Sequence, residues 1–542
     1  MTSLLDPLII EKVKNLNPWW EKRDWYKDDR DYSRALKSPF IHRWYGILKS
    51  AMRELVNNSN KFDMLILAGP RRVGKTCLMK RLIDDFLQQS TPIYLSLDDP
   101  LICRYVKEYG LETLINQVIT NFKLKQPYLL ILDEITALEN EWSIQVKTLW
   151  DSYARKGKHF LLLVTGSLGL LLIRESVNLA LRRGNIEKLS RIANPGIILP
   201  FKFSEYAEAL KKVRFLIRTL QILGRSVRLE ILNALAVKGE TNRNLSRLFL
   251  LYQSLKRNRA TIEKLIEIYL LTGGYPIVIY EYFIESRKRR KNMSISRGFY
   301  SEMINSLLAD IKHTNIEEEQ GRAFIEYLEE HGLDPHIDVG DLAKYLSTQY
   351  RISRRTQRRN DVWDVIRYFE NIFTIVKAQH YCSTYKCPDP IQTKYKNEYS
   401  NTIKLFIVDP FILHAIMNRR EHDPFIASKK LLSNDMNLGL IVEHVVCSHF
   451  LRLRSDLKLY YIIDENEKEI DCMYKLARDR WLAVEVKYTS NVRRLEEAAN
   501  QSSLILSEIG LENTRPIIVN KDVFKITDDY CLIPFFIYLL LF

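Results

Sequence analysis

The stretch FDMLILAGPRRVGKTCLMKRLIDDF, residues 62–86, restricts the fold more than any other part of the chain. Residues 63–68 form an apolar run suited to a buried parallel strand, and an amphipathic helix follows the loop. Between them, Gly69, Pro70, Arg71, Arg72, Val73, Gly74, Lys75 and Thr76 fit G-x-x-x-x-G-K-T. Glycines let such a loop curl its backbone N–H groups around phosphate, and the helix N-terminus adds a favourable dipole. Lys75 is placed to reach the β- and γ-phosphates, Thr76 to offer its hydroxyl to Mg²⁺, and Cys77 closes the expected binding stretch.

Two further strands are expected at 91–100 (TPIYLSLDDP) and 128–135 (YLLILDEI). The latter ends in Asp133 and Glu134, one carboxylate for the Mg²⁺ shell and one to orient a hydrolytic water. The plainer reading of such a pair is a solvated turn. FLLLVTGS (160–167) is a further buried strand, where Thr165 or Ser167 senses the γ-phosphate or simply caps the next helix.

NPWW (17–20), GPRRVGKT, LDEI, VTGS, LPFKFSEY (199–206) and TGGYP (272–276) occur in this order. In them the chain resembles an archaeal and bacterial family that joins an AAA+-type ATPase to a C-terminal nuclease-like domain of the PD-(D/E)XK type, of unknown function. The resemblance runs over most of the chain. It implies an AAA+ core, ATP and Mg²⁺ as cofactors, and a role on nucleic acid. The family's Gly-Arg pair before LPFKF departs here to LRRGN, which leaves Arg183 as the candidate arginine finger or as part of a solvated basic face. The charged helical sequence of 210–270 suits an elaborated helical lid.

Helix, turn, helix, turn, helix and a β-like run follow from about 320, with Phe324, Leu328, Leu342, Leu346, Val362 and Ile366 spaced for a small core. The order suits a winged helix-turn-helix. Arg351, Arg354, Arg355, Arg358 and Arg359 follow i, i+3, i+4, i+7, i+8 and share one face if helical, with Ser353 as N-cap. Five cations on one face are tolerable chiefly against a polyanion, so DNA is the expected partner. Pairing with acids elsewhere in the chain is the alternative. RKRRK (287–291) reads as a loop touching phosphate or solvent.

In the last unit, NLGLIVEHVVCSHFLRL (437–453) suits a buried helix whose only acid is Glu443. A lone carboxylate there is costly without a partner. Asp471 opens a strand after a polar hairpin, and RWLAVEVKYT (480–489) carries Glu485 and Lys487 on one face. An acid, then Asp, then Glu-x-Lys is the pattern of a Mg²⁺-dependent nuclease. Asp471 and Glu485 supply oxygen ligands, Glu443 adds one directly or through water, and Lys487 orients a hydroxide. A plain Glu–Lys ion pair on a half-exposed strand is the competing reading.

At 542 residues the chain exceeds one core. The expected fold is α/β, in five parts: an N-terminal segment (1–60) packed on the ATPase, a P-loop core (61–205), a helical lid (206–318), a winged-helix domain (319–400), and a restriction-endonuclease-like domain (401–542). Eighty-one Lys and Arg against 66 Asp and Glu make a net charge of +15, which favours polyanions. Seven scattered Cys suggest no disulfide framework and a reducing, cytoplasmic setting; Cys382 and Cys387 near His380 are a weak zinc pattern and read as structural thiols. IPFFIYLLLF at the end is too short to span a membrane and reads as a final buried strand. The expected function is an ATP-hydrolysing protein acting on DNA, with Mg²⁺-dependent cleavage at the C-terminus and a homo-oligomer possible. Alternatives are a nucleotide-controlled switch whose last domain only binds, and a scaffold with slow ATP turnover.

Overall fold

A computed structural model describes residues 6–38, 42–179, 182, 184–190, 195–210, 224–240, 243–285, 293–349, 359–381, 402–453, 458–464, 466–477 and 480–542. The chain divides into two compact units: Met1–Leu199 with Lys312–Asn315 and Asn371–Phe373, and Pro200–Ile311 with Ile316–Glu370 and Thr374–Phe542.

The first unit is built on β1 (Phe62–Ala68), β2 (Thr91–Ser96), β3 (Tyr128–Asp133), β4 (Phe160–Gly166) and β5 (Gly196–Ile197), in the order β2-β3-β4-β1-β5. Every pairing is parallel. The central strands β1, β3 and β4 are rich in Leu, Ile and Val and buried along nearly their whole length, as strands covered on both faces of such a sheet are. β1 and β4 pair in register from Phe62↔Phe160 to Ala68↔Gly166, which aligns the P-loop beside the end of the Thr165 strand.

β2 lies at the edge, and an unpaired edge strand is a liability. Asn17 covers it. Its amide donates to Tyr94 O at 2.9 Å and accepts from Tyr94 N at 2.8 Å, imitating a neighbouring strand. The indoles of Trp19 and Trp20 both donate to Pro92 O, at 3.3 and 2.9 Å. Trp19, Trp25, Tyr32 and Trp44 are buried in one core with Leu65, Leu67, Met79 and Ile131, so the NPWW segment closes the ATPase-like sheet on one side.

In the second unit nine strands form one sheet, ordered β13-β14-β12-β11-β10-β9-β7-β8-β6. They are β6 (His336–Asp338), β7 (Ile375–His380), β8 (Thr402–Ile407), β9 (Leu459–Ile463), β10 (Glu469–Ala477), β11 (Arg480–Lys487), β12 (Pro516–Asn520), β13 (Lys525–Ile526) and β14 (Cys531–Pro534). The helix Glu318–His331 precedes β6, the helices Val339–Gln349 and Arg359–Asn371 lie between β6 and β7, and Phe324, Leu328, Leu342, Leu346, Val362 and Ile366 are all buried. β8 pairs antiparallel with both β6 and β7, while β7 also pairs parallel with β9. The strands expected in two separate domains therefore share a single sheet.

Residues 206–318, expected as a lid, fall in this second unit apart from Lys312–Asn315. Two quoted motifs explain why. The helix Arg259–Thr272 ends at Gly273, whose φ of +61° suits glycine, and Gly274 N donates to the buried Asp409 at 2.7 Å. Phe201 N donates to Gly274 O at 2.8 Å, which joins LPFKFSEY to TGGYP.

Two expectations are corrected. The final apolar run is not a strand: β14 ends at Pro534, and Phe535–Leu541 is a buried helix. Residues apolar on all sides carry no period that separates helix from strand. The cysteines are not all free either: Cys447 and Cys472 form a disulfide. Their separation of 25 residues hides a Cα–Cα distance of 5.9 Å that only the helix-on-sheet packing creates. Cys382 and Cys387 lie outside the described residues.

Candidate nucleotide site and a buried charge cluster

The loop after β1 turns through Gly74 at φ +97°, open to glycine and strained for other residues, and the helix Lys75–Phe86 starts there. A Cβ on Gly69 would meet Ile198 O at 2.2 Å, so this position accepts only hydrogen. Lys75 is buried and its ammonium donates to Gly69 O at 2.7 Å and Pro70 O at 3.0 Å, folding along its own loop. It also stands 3.6 Å from Glu134 Oε1. Cys77 is part-buried, and burial pushes its thiol up to about 11.

Asp133 ends β3 with only 2% of its surface exposed. Its Oδ2 accepts from Thr76 Oγ1 and from Tyr94 OH, each at 2.7 Å, and its Oδ1 accepts from Thr165 Oγ1. Burial first, then the charge of Asp133, raises the Tyr94 hydroxyl far above its ordinary value, so it remains a donor. Glu134 sits in the left-handed region at φ +53°. Its Oε2 accepts from Ser167 N at 2.9 Å and Ser167 Oγ at 2.7 Å. Lys75, Thr76, Asp133, Glu134 and Thr165 thus come together, with Tyr94 as a member that sequence reading missed. One hydroxyl and one carboxylate suit Mg²⁺, which keeps most of its waters and takes few protein ligands.

Arg183 lies outside the described residues. Its neighbour Arg182 pairs with Asp151 through Nε at 2.9 Å and Nη2 at 3.1 Å. Arg351, Arg354, Arg355 and Arg358 also lie outside them, as does the RKRRK run at 287–291. Arg359 begins a described helix, but its side chain is not described.

In the second unit, Glu443 projects from the helix Asp435–Ser448, Asp471 from β10, and Glu485 and Lys487 from β11. The residue that joins them is Lys404 on β8, which is 0% exposed. Its Nζ stands 2.9 Å from Glu443 Oε1, 2.5 Å from Glu469 Oε1 and 3.0 Å from Asp471 Oδ1. Asp471 Oδ2 accepts from Val486 N at 2.6 Å. Glu485 is buried and pairs through Oε1 with the half-exposed Lys487 at 2.6 Å, while its Oε2 has no hydrogen-bond partner among the described residues. His336 extends the chain of charges, 3.0 Å from Glu469 and 2.9 Å from Asp334.

Burial alone would lower the Lys404 ammonium, but Asp471, Glu443 and Glu469 together hold it well above its ordinary value. Burial likewise opposes ionisation of Asp471, yet Lys404 and Lys487 hold this carboxyl below the usual range. Glu443 and Glu485 are pushed up by burial and by the charge of Asp471, which outweigh their own lysine partners. One carboxylate of the cluster is therefore favoured as the anion at the expense of its neighbours. Lys404, Glu469 and His336 were missed in the sequence. The signal was present: a single Lys inside the apolar strand TIKLFI poses the same burial problem as Glu443.

Residues 61–207 match a family model described as an AAA domain, and residues 438–535 match one described as a domain of unknown function, DUF4143. The first unit has an AAA+-type, P-loop ATPase-like core. No curated protein matches the chain. Among solved structures it is similar to a Walker-type ATPase of Pyrococcus abyssi (13% identity, 70% of this chain and 95% of that one, TM-score 0.32). The Aeropyrum pernix Orc1 protein in complex with DNA is similar at 13% identity (71% and 92%, TM-score 0.32), and Thermotoga maritima RuvB at 14% (58% and 81%, TM-score 0.27). Similarity at that level says nothing about what this chain does. No helix among the described residues is long and apolar enough to cross a membrane.

Proposed function

We propose that the chain binds and hydrolyses ATP in its first unit and uses the nucleotide state to control binding of nucleic acid. The observation that carries the ATPase reading is Asp133, held by Thr76 at 2.7 Å beside Lys75 and Glu134 at the mouth of a P-loop. Lys75, free to leave two backbone carbonyls, is the group that meets the phosphates. Thr76 and Asp133 are the residues that would hold Mg²⁺, which neutralises phosphate charge when bound. Glu134 orients the attacking water once Ser167 releases its carboxylate, and Thr165 ties the end of β4 to Asp133. Arg183 is the candidate finger, acting across subunits if the chain assembles with itself.

Lys75→Ala is expected to abolish tight ATP binding, whereas Glu134→Gln should retain binding and stop turnover. Equilibrium binding of a fluorescent ATP analogue and steady-state phosphate release measure the two separately. Normal turnover in Glu134→Gln would remove Glu134 from the mechanism.

The nucleic-acid half rests on the net charge of +15 and on the stripe Arg351, Arg354, Arg355, Arg358, Arg359. The order helix, β6, helix, helix, β7, β8, with β8 between the other two strands, supports the winged-helix reading. Mg²⁺-dependent cleavage is the second reading, favoured by Asp471, Glu485 and Lys487 meeting at adjacent strands. Lys404 stands against it. Assay of single-stranded, duplex and branched DNA with Mg²⁺ and Mn²⁺ separates cutting from binding.

A further inference from the structure

A divalent ion in the nuclease-like reading would take its oxygens from Asp471 and Glu485, and the residues present do not fit one. Asp471 spends one oxygen on Lys404 at 3.0 Å and the other on Val486 N at 2.6 Å. Glu443 spends one on Lys404, and Glu485 one on Lys487. Among the described residues, no group of three or more His, Cys, Asp and Glu is placed to hold a metal ion.

Lys404 instead meets the requirements of the place. An ammonium has three N–H donors, and three carboxylate oxygens surround this one within 3.0 Å. A fully buried ammonium is tolerated only with such partners, and the partners in turn are tolerated only with a cation. A doubly charged ion beside it would be repelled at short range and low dielectric.

We propose that Lys404 is the resident cation of this carboxylate cage, standing where a divalent metal would stand, so that the native cage takes neither Mg²⁺ nor Mn²⁺. The lysine comes from β8, a strand paired with β6 and β7, while its partners come from β10 and the helix Asp435–Ser448. It therefore clasps two parts of the second unit through one charge. Glu485 Oε2, buried without a partner among the described residues, is the oxygen left over to complete a metal site once the lysine is removed. The inference does not depend on the ATPase reading.

Mn²⁺ binding to the full, nucleotide-free chain tests it, with free Mn²⁺ counted by its electron paramagnetic resonance signal. Wild type, Asp471→Asn and Glu485→Gln should bind Mn²⁺ alike. Lys404→Met should gain one equivalent, at least about tenfold tighter than any site that the wild type offers. Adding Asp471→Asn to Lys404→Met should abolish that gain. Mn²⁺ held at the P-loop is common to all these proteins and cancels in the comparison. The proposal is overturned if wild type holds an equivalent that Asp471→Asn or Glu485→Gln removes, or if folded Lys404→Met gains none. Should Lys404→Met fail to fold, the comparison of wild type with the two carboxylate variants still decides. Folding of Lys404→Met restored by Mn²⁺ would support it.

Discussion

Asp133 is fixed by three hydroxyls from three different elements: Thr76 after the P-loop, Tyr94 on β2 and Thr165 on β4. Two of them belong to motifs that sequence reading finds. Tyr94 belongs to none, because an aromatic in a buried strand reads as core, and its hydroxyl matters only where β2 lies parallel to β3. Tyr94→Phe keeps the ring and removes the donor. It should cost about 1.5–2 kcal/mol, the lower range for a hydrogen bond to a charged group, since Thr76 and Thr165 still hold the carboxylate. Turnover should fall several-fold with little change in ATP affinity. Urea unfolding and a kcat-against-KM comparison read the two effects, and unchanged turnover would leave Tyr94 a purely structural residue.

At the scale of elements, the helix Asp435–Ser448 is the hub of the second unit's charge cluster. Glu443 reaches Lys404 from it, His444 Nδ1 accepts from Ile407 N at 3.0 Å, and Cys447 is bonded to Cys472, the neighbour of Asp471 on β10. The disulfide thus ties together the two elements that carry Glu443 and Asp471. Closing a loop of 25 residues is worth about 3.5 kcal/mol on chain-entropy grounds. Cys447→Ser should lower stability by roughly that amount and leave the P-loop's nucleotide binding unchanged. A fall in denaturation midpoint equal to that of wild type treated with reductant would check the assignment. No further loss on reducing Cys447→Ser is part of the same expectation.

For the whole molecule, the excess of Lys and Arg is the property that no single element carries. If the arginine stripe meets phosphates, reversing Arg354, Arg355 and Arg358 to Glu should weaken DNA binding and flatten its salt dependence. The slope of log affinity against log salt should fall by about 3, near 0.9 for each lost phosphate contact. ATP turnover without DNA should change little. An unchanged slope would assign these arginines to solvent or to acids within the chain.

The P-loop, the strands that carry Asp133 and Thr165, and the helices around Phe324 and Ile366 were legible in the sequence. Each is a local pattern, in which glycine position, apolar period and strand length are read from neighbours along the chain. Glu443, Asp471 and Glu485 were legible too, because a carboxylate in an apolar element signals a partner. Which partner was not. Lys404 lies 39 residues from Glu443 and 67 from Asp471, and nothing along the chain relates them. The same holds for Asn17 on the edge of β2, for Cys447 with Cys472, and for the final helix, whose uniformly apolar run has no period. Local sequence determined which segments become strand, loop and helix at the nucleotide site. The packing of strands and helices distant along the chain decided which buried charges meet, since an ion pair depends on distance through space rather than along the backbone.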